Sequence, residues 1–582
     1  MYRQTYVFRP GEDGMMVSAS LLDQEEVEYG LLPFSDSAGN VNQAAAGNKK
    51  SCTADDRCIL GYPVRFYAGV PHKGIYQVTV GLSGGEQGVR NLNLYTGRRN
   101  LIRRDMEIKA GETRTVTFYS HVCEYLPVVG EPAQLDQNIR LSLLGDAPSL
   151  ADCLDFVEIK EADVPTVYIG GDSLVADYET EYPYNPLMSF GSWGQNLPQY
   201  FDGLAFCNQA HGGLTTNCFK QDGHWDIVRD NIKPGDVFML QFGHNDQKRR
   251  NLKAYVQYAA NLRWYISEVR ERGAYPVIVT SMSRIPSKDE DGWFDLLKEY
   301  EDSCLRVGQE CHVPVINLHD YSFRLFCEKG VDWCRDYFMD VTHTNDYGAL
   351  QMTAFIAGEL MRLQVEPFLS HRNEYCGAPW IPDVSLRPQN AVSSEKKEEK
   401  PVLPHDLPKL PYADCQGIRQ EQKLKEAMWK GLLDPCVKFF HPFDDMPRGQ
   451  FLYLFFKAMP DRVRKPWSAP YCDVYRYEWD AGNIQAAYDS GLIDETTTPD
   501  RHFRPDDPLT GGEFLSFMIR SLHPVNERGI SMEECEQEAK KLGLLWDGYA
   551  ADQPVGRADC AAALVDLMEI AQKTDNRKNS KA

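Results

Sequence analysis

The sequence predicts an α/β protein. A doubly wound parallel sheet lies at its centre, a β-sandwich precedes it, and a domain of helical repeats follows. Three observations carry this prediction. Residues 164–372 alternate strand-like and helix-like patterns, the signature of a parallel sheet with helices on both faces. Residues 1–163 show period-two alternation broken by Gly, Asn and Asp clusters, without a long helical period. Residues 418–573 repeat one helix–turn–helix pattern three times.

In the first segment the strand-like runs are Arg65–Val70, Gly74–Leu82, Thr113–Tyr119 and Asn138–Leu144, and Asp155–Lys160 closes the series. Two stacked antiparallel sheets are the economical reading, with either a structural or a sugar-binding role. In the second segment, strands are predicted at Thr166–Ile169, Asp236–Phe242, Tyr275–Ser281 and Val313–Leu318. Helices are predicted at Leu252–Arg272, Trp293–Cys311 and about Tyr347–Leu363. Residues 385–412 combine a charged run with Pro401, Pro404, Pro408 and Pro411, which predicts a semi-extended linker. In the last segment Gly431, Gly491 and Gly543 each end a helix. A Pro/Asp turn follows, and a new helix opens near Arg448, Thr510 or Arg557.

Bulk properties exclude some functions. At 582 residues the chain is too long for a single core. A net charge of −22 argues against a nucleic-acid backbone as the main partner, because phosphate binding needs a basic surface. It leaves room for a polysaccharide held by hydrogen bonds and stacking. No run reaches the roughly 18 apolar residues of a membrane span. Met1–Gly14 lacks the apolar core of an export signal, so the sequence as it stands predicts a cytoplasmic protein, with the cell surface as the alternative for a trimmed chain. The sixteen cysteines include no Cys-x-x-Cys pair; reduced thiols are expected and a zinc ribbon is not.

The chemistry is expected around Gly171-Asp172-Ser173, where a strand-like run stops at a turn. Open α/β sheets place ligands at that carboxyl edge. A serine hydroxyl needs a base, an orienter for the base and donors for an oxyanion. Asp340 and His343, three apart before a helix, can face one point as orienter and base. Asn245, in Gly243-His-Asn-Asp246 after a predicted strand, can offer a side-chain N–H. Gly213, in Asn208-Gln-Ala-His-Gly-Gly213, can offer a backbone N–H, and so can Ser173 itself. Each has a bland counterpart as a turn, a helix cap or a plain loop.

Taken together, these stretches resemble the SGNH hydrolases: Gly-Asp-Ser-Leu, a loop glycine, Gly-x-Asn-Asp and Asp-x-x-His in that order. The likeness is closer to rhamnogalacturonan acetylesterases, through Gly171–Asp177, Gly191–Gln195, Asn208–Gly213, Gln241–Gln247 and Asp340–Thr344. It spans roughly residues 60–370 and implies a galactose-binding-like sandwich before the catalytic domain. It also implies Ser173 as nucleophile, His343 as base, Asp340 as orienter, and Ser173, Gly213 and Asn245 as the oxyanion hole. Asp177, Trp193 and His244 become candidate substrate contacts. No metal or cofactor is implied, and the substrate would be an acetylated polysaccharide or oligosaccharide. Two departures stand out. Leu174 follows the serine where the esterases carry a small polar residue. Leu214 stands where they carry arginine, which admits xylan or mannan beside rhamnogalacturonan. The terminal repeats resemble S-layer homology modules, which implies a cell-wall polymer as a second partner. Arg448 and Arg557 keep the arginine of that pattern and Gly511 replaces it. The competing expectations are an SGNH lipase or thioesterase, and a non-catalytic wall-attached glycan-binding protein.

Overall fold

The computed structural model describes residues 2–376 and 407–579, apart from internal stretches that include 9–13, 17–28, 32–62, 128–131, 147–149, 434–439, 460–470, 475–479 and 494–497. Nearly all of the expected linker at 385–412 lies outside the described residues, as do Cys52 and Cys58. The chain divides into two compact units, one up to about residue 395 and one beyond it.

The first unit is built on a large mixed sheet. Its main strands are β1 (Arg3–Val7), β2 (Gly74–Ser83), β3 (Thr113–Val122), β4 (Leu154–Glu161), β5 (Thr166–Gly171), β6 (Ala205–Asn208), β7 (Val237–Gln241), β8 (Tyr275–Val279) and β9 (Val315–Ile316). They lie in the order β9-β8-β7-β5-β6-β3-β2-β4-β1, with Met15–Met16 at the far edge. From β9 to β6 all neighbours are parallel, and β6 also pairs parallel with β3. From β3 to β1 the pairing is antiparallel, and Met15–Met16 pairs parallel with β1. The sheet therefore runs across the expected boundary at residue 163. The physical reason is the open edge of β6: its unpaired backbone groups take up β3 rather than facing water.

A second antiparallel sheet has the order Tyr29–Leu31, Val64–Gly69, Asn138–Asp146, Val89–Thr96, Asn100–Ile108. Its inward residues, among them Phe66, Leu92, Leu94 and Leu141, share one apolar cluster with Tyr76, Val78, Val80, Val157 and Ile159 of the large sheet. The parallel strands β5, β7 and β8 are buried along nearly their whole length, so they read as continuous apolar runs rather than alternating ones.

Helices α1 (Thr216–Gln221), α2 (Ala259–Glu271), α3 (Lys298–Cys311), α4 (Leu318–Lys329) and α5 (Asp346–Arg362) flank the parallel part. The predicted start of α3 at Trp293 is corrected: Gly292–Phe294 pairs with Ser287–Asp289 as a small hairpin. β5 lies between β6 on one side and β7 on the other, so the strand order reverses at β5. That reversal opens a crevice at the carboxyl ends.

The second unit has its own core, formed by helices at Glu421–Trp429, Arg448–Ala458, Ala481–Asp489, Gly511–Leu522, Met532–Leu542 and Arg557–Asn579. Its repeats interlock through their turns. Asp414 accepts the N–H groups of Phe440 and His441 at 2.9 and 2.7 Å, and Asp473 accepts those of Phe503 and Arg504 at 2.8 and 2.6 Å. The Arg448 guanidinium lies over the Phe503 ring, and that of Arg557 over Phe440. At Gly511 a Cβ would come within 2.3 Å of the Ala550 carbonyl oxygen. Backbone contact therefore excludes the arginine that the repeat pattern leads one to expect there.

Candidate active site

Ser173 stands two residues beyond β5, in a turn closed by the Val175 and Ala176 N–H groups on the Asp172 carbonyl at 3.1 and 3.2 Å. Its Oγ lies 2.8 Å from His343 Nε2. His343 Nδ1 lies 2.8 Å from Asp340 Oδ2. The other Asp340 oxygen accepts the backbone N–H groups of Thr342 and His343 at 2.6 and 2.8 Å. Burial alone would raise the Asp340 carboxyl; the His343 ring and these N–H groups outweigh it and hold it down at about 2. The carboxylate is thus charged throughout the range in which an imidazole acts as a base. With Asp340 accepting at Nδ1, that nitrogen carries the proton and Nε2 is free to take one from Ser173.

The loop after β6 lies beside this serine. A Cβ on Gly212 would sit 3.9 Å from Ser173 Cβ, and Gly213 is exposed with φ +82°, a conformation that suits glycine. Asn245 Nδ2 donates to the Leu214 carbonyl at 3.1 Å, which leaves its second amide hydrogen for another acceptor. Lys248 Nζ donates to Asn245 Oδ1 at 3.1 Å and fixes which way the amide points. Ser173, Gly213, Asn245, Asp340 and His343 therefore gather at the carboxyl edge of β5 and its neighbours.

The three candidate substrate contacts fare differently. Trp193 is corrected to a core residue: it is 2% exposed, and its Nε1 donates to Gln241 Oε1 at 2.8 Å. His244 is likewise 2% exposed. Its Nε2 donates to the Met282 carbonyl at 2.7 Å, and its Nδ1 accepts from Arg284 Nε at 3.2 Å. Burial first, then Arg284, keeps that imidazole well below its ordinary value and neutral. Neither ring can meet a substrate. Asp177 is half-buried and bridges Asn208 Nδ2 at 2.7 Å and Asn100 Nδ2 at 2.9 Å, so it ties two loops together.

The residues missed by sequence reasoning come from distant segments. Arg99, in the turn between Val89–Thr96 and Asn100–Ile108, is buried and paired with Asp346 at the start of α5. Its Nη2 donates to the Phe190 carbonyl at 2.5 Å. The Phe190 ring stands edge-on to His343, with centroids 5.9 Å apart, and stacks on Tyr178 at 5.6 Å. Arg284 precedes Ile285, whose N–H donates to the Val341 carbonyl at 3.0 Å and so fastens this loop to the one bearing His343. No motif marks Arg99 or Arg284; only the fold brings them here.

Two carboxyls beneath the site are held partly protonated. Burial raises Asp172 to about 6 and Asp246 to about 7. Asp246 Oδ1 accepts the Thr216 N–H at 2.9 Å and the Thr216 hydroxyl, which joins the end of β7 to α1. A carboxyl whose folded value is raised holds its proton in the fold after the unfolded chain has lost its own. Stability therefore falls as pH rises from about 4 through about 7. The Asp246→Asn variant keeps the accepting oxygen and removes the titration. Its melting temperature is expected to drop less than that of the wild type between pH 5 and pH 8; equal drops would contradict the assignment.

The GDSL-like lipase/acylhydrolase family matches residues 170–350. The chain is 33% identical over 208 residues to rhamnogalacturonan acetylesterase RhgT of Bacillus subtilis, an alignment covering 33% of this chain and 87% of that protein. This chain belongs to the GDSL-like acylhydrolases. It is a serine ester hydrolase. It is also similar to a probable rhamnogalacturonan acetylesterase, YesY of Bacillus subtilis, at 31% identity over 34% of this chain and 93% of that one. A third relative is the esterase YxiM of the same organism, at 30% identity over 40% of this chain and 63% of that one. The S-layer homology domain matches residues 470–515 of the esterase. No described helix is long and apolar enough to cross a membrane.

Proposed function

We propose that the chain is a carbohydrate O-acetylesterase acting on a plant cell-wall polysaccharide, with pectic rhamnogalacturonan favoured. The observation that carries this reading is the unbroken relay from Ser173 Oγ through the His343 ring to Asp340, with two 2.8 Å contacts at the sheet's switch point. Ser173 Oγ attacks the acetyl carbonyl while His343 Nε2 takes its proton. Asp340 holds the ring and balances the imidazolium. The oxyanion is received by the N–H groups of Ser173 and Gly213 and by the Asn245 amide. Collapse of the intermediate releases the sugar hydroxyl, which leaves with the proton held on His343. Water, deprotonated by the same nitrogen, then cleaves the acetyl-serine and frees acetate.

An acidic polymer is supported by two features. The relatives RhgT and YesY are named for rhamnogalacturonan. Arg284 and Lys248 also bring positive charge to the site, where both pull against the burial of Asp172. Leu214 does not argue the other way: it is 1% exposed, so its side chain lies away from any substrate. The exposed Phe190 face beside His343 suits stacking on a sugar ring. Acetate release from acetylated pectin, xylan and mannan tests the reading, with pectin expected to be turned over fastest. Release from none of these, nor from a small aryl acetate, would end it.

Asn245→Ala is expected to lower kcat by roughly 10²–10³-fold with little change in KM, since the amide meets charge that develops only in the transition state. A change confined to KM would remove Asn245 from the oxyanion hole.

For the terminal repeats we propose attachment to a cell-wall polymer, and with it a surface location. The S-layer homology match supports this. The full-length chain should sediment with purified cell walls; complete recovery in the supernatant would sink the idea.

A further inference from the structure

Where the parallel and antiparallel parts of the large sheet meet, three side chains of metal-binding type converge. His121 lies near the end of β3, Cys123 follows that strand, and Cys207 lies on β6. One donor atom from each falls within 4.8 Å of the other two. The two sulfurs are 3.2 Å apart. Gln209 Nε2 faces both, 3.5 Å from Cys123 Sγ and 3.4 Å from Cys207 Sγ, and donates to the Glu124 carbonyl at 3.0 Å. His121 Nδ1 is buried without a hydrogen-bond partner among the described residues. The ester-hydrolysis steps use none of these groups.

We propose that His121, Cys123 and Cys207 bind a thiophilic metal ion of the zinc class, and that the ion clamps β3 to β6. Two thiols and an imidazole are the donor set that soft and borderline cations select over magnesium or calcium. Distance separates this reading from a disulfide. Zinc–sulfur bonds of about 2.3 Å in a tetrahedron place two sulfurs about 3.8 Å apart, so the pair would open by roughly half an ångström. A disulfide at about 2.05 Å would have to draw the sulfurs together by more than about one ångström. The thiolate is the form that binds metal. With three protein ligands, a coordination position remains for water.

The clamp would act where the sheet is thinnest. β3 and β6 pair only at Ala205↔Tyr119 and Phe206↔Ser120, whereas β2 and β3 pair from Gly74↔Val122 to Ser83↔Thr113. Directly after Cys207, Asn208 Nδ2 holds Asp177 Oδ1 and the Val175 carbonyl, each at 2.7 Å. The loop carrying Gly213 follows. The ion would thus brace a strand that positions the oxyanion loop without touching substrate.

The test uses the full chain, reduced, stripped by chelator and titrated with Zn²⁺ against a chromophoric chelator. The wild type is expected to bind one more zinc ion per chain than Cys123→Ser/Cys207→Ser. It should melt higher with zinc than without, and the double variant should show no such rise. Replacing Zn²⁺ with Co²⁺ should give a thiolate charge-transfer band only in the wild type. His121→Ala should weaken binding at least roughly tenfold, since it removes one ligand of three. Equal zinc binding by wild type and double variant would overturn the proposal. So would a Cys123–Cys207 disulfide in chain isolated without reductant, if that chain then takes up no zinc after reduction.

Discussion

Ser173→Ala is expected to lower kcat for acetate release by roughly 10⁴-fold or more while leaving the fold intact. Removal of a triad nucleophile costs on that order, and in the proposed mechanism Ser173 Oγ is the atom that forms the covalent intermediate. Little else should change. The Ser173 hydroxyl is hydrogen-bonded to His343 Nε2, and the turn is closed by backbone groups that alanine keeps. Tyr178 donates its hydroxyl to the Ser173 carbonyl at 2.6 Å, and that contact is also independent of the side chain. Melting temperature and substrate binding should therefore match the wild type. The measurement is acetate release with an inactive background control, beside a thermal melt. Retention of more than about one per cent of kcat would deny Ser173 the nucleophile's role and with it the acyl-enzyme.

How much of this site could be read in the sequence follows from chain distance. Ser173, Gly213, Asn245, Asp340 and His343 each sit in a short stretch whose local physics is visible: an apolar run that ends in a turn, a glycine pair, a loop before a helix. Parallel strands place their carboxyl ends on one edge, which brings Ser173, Gly213 and Asn245 together, while Asp340 and His343 reach that edge on the loop before α5. The same logic misled at Trp193 and His244. Both stand within the right stretches, yet a motif gives no sign of which way a side chain faces, and these two point into the core. The continuity of the large sheet was also hidden. β3 and β6 join across more than eighty residues, and neither strand's pattern names its neighbour. Arg99 is the extreme case. It lies in a turn that reads as solvent-exposed, Gly97-Arg98-Arg99-Asn100, and the sequence holds no cue that it pairs with Asp346.

That pairing supports the second large effect. Arg99→Ala is expected to destabilise the first unit by about 3–5 kcal/mol, because it leaves the buried Asp346 carboxylate with the Tyr184 hydroxyl but no positive partner. The two side chains are 5% and 6% exposed, so water cannot take over the lost interaction. Activity should fall as well, for a geometric reason. Asp346 begins α5 three residues after His343, and Phe190, whose carbonyl Arg99 holds, borders the His343 ring. One guanidinium thus fixes both the loop carrying His343 and the wall beside it. Below its melting point the variant should show a reduced kcat. A double replacement, Arg99→Met with Asp346→Asn, removes the orphaned charge and should regain much of the stability, because a neutral pair of similar bulk suffers no uncompensated burial. It should regain less of the activity, because methionine cannot donate to the Phe190 carbonyl. If the double replacement melts no higher than Arg99→Ala, the cost lies in lost packing and the charge argument fails. If kcat returns fully with stability, Arg99 contributes to folding alone and does not position His343.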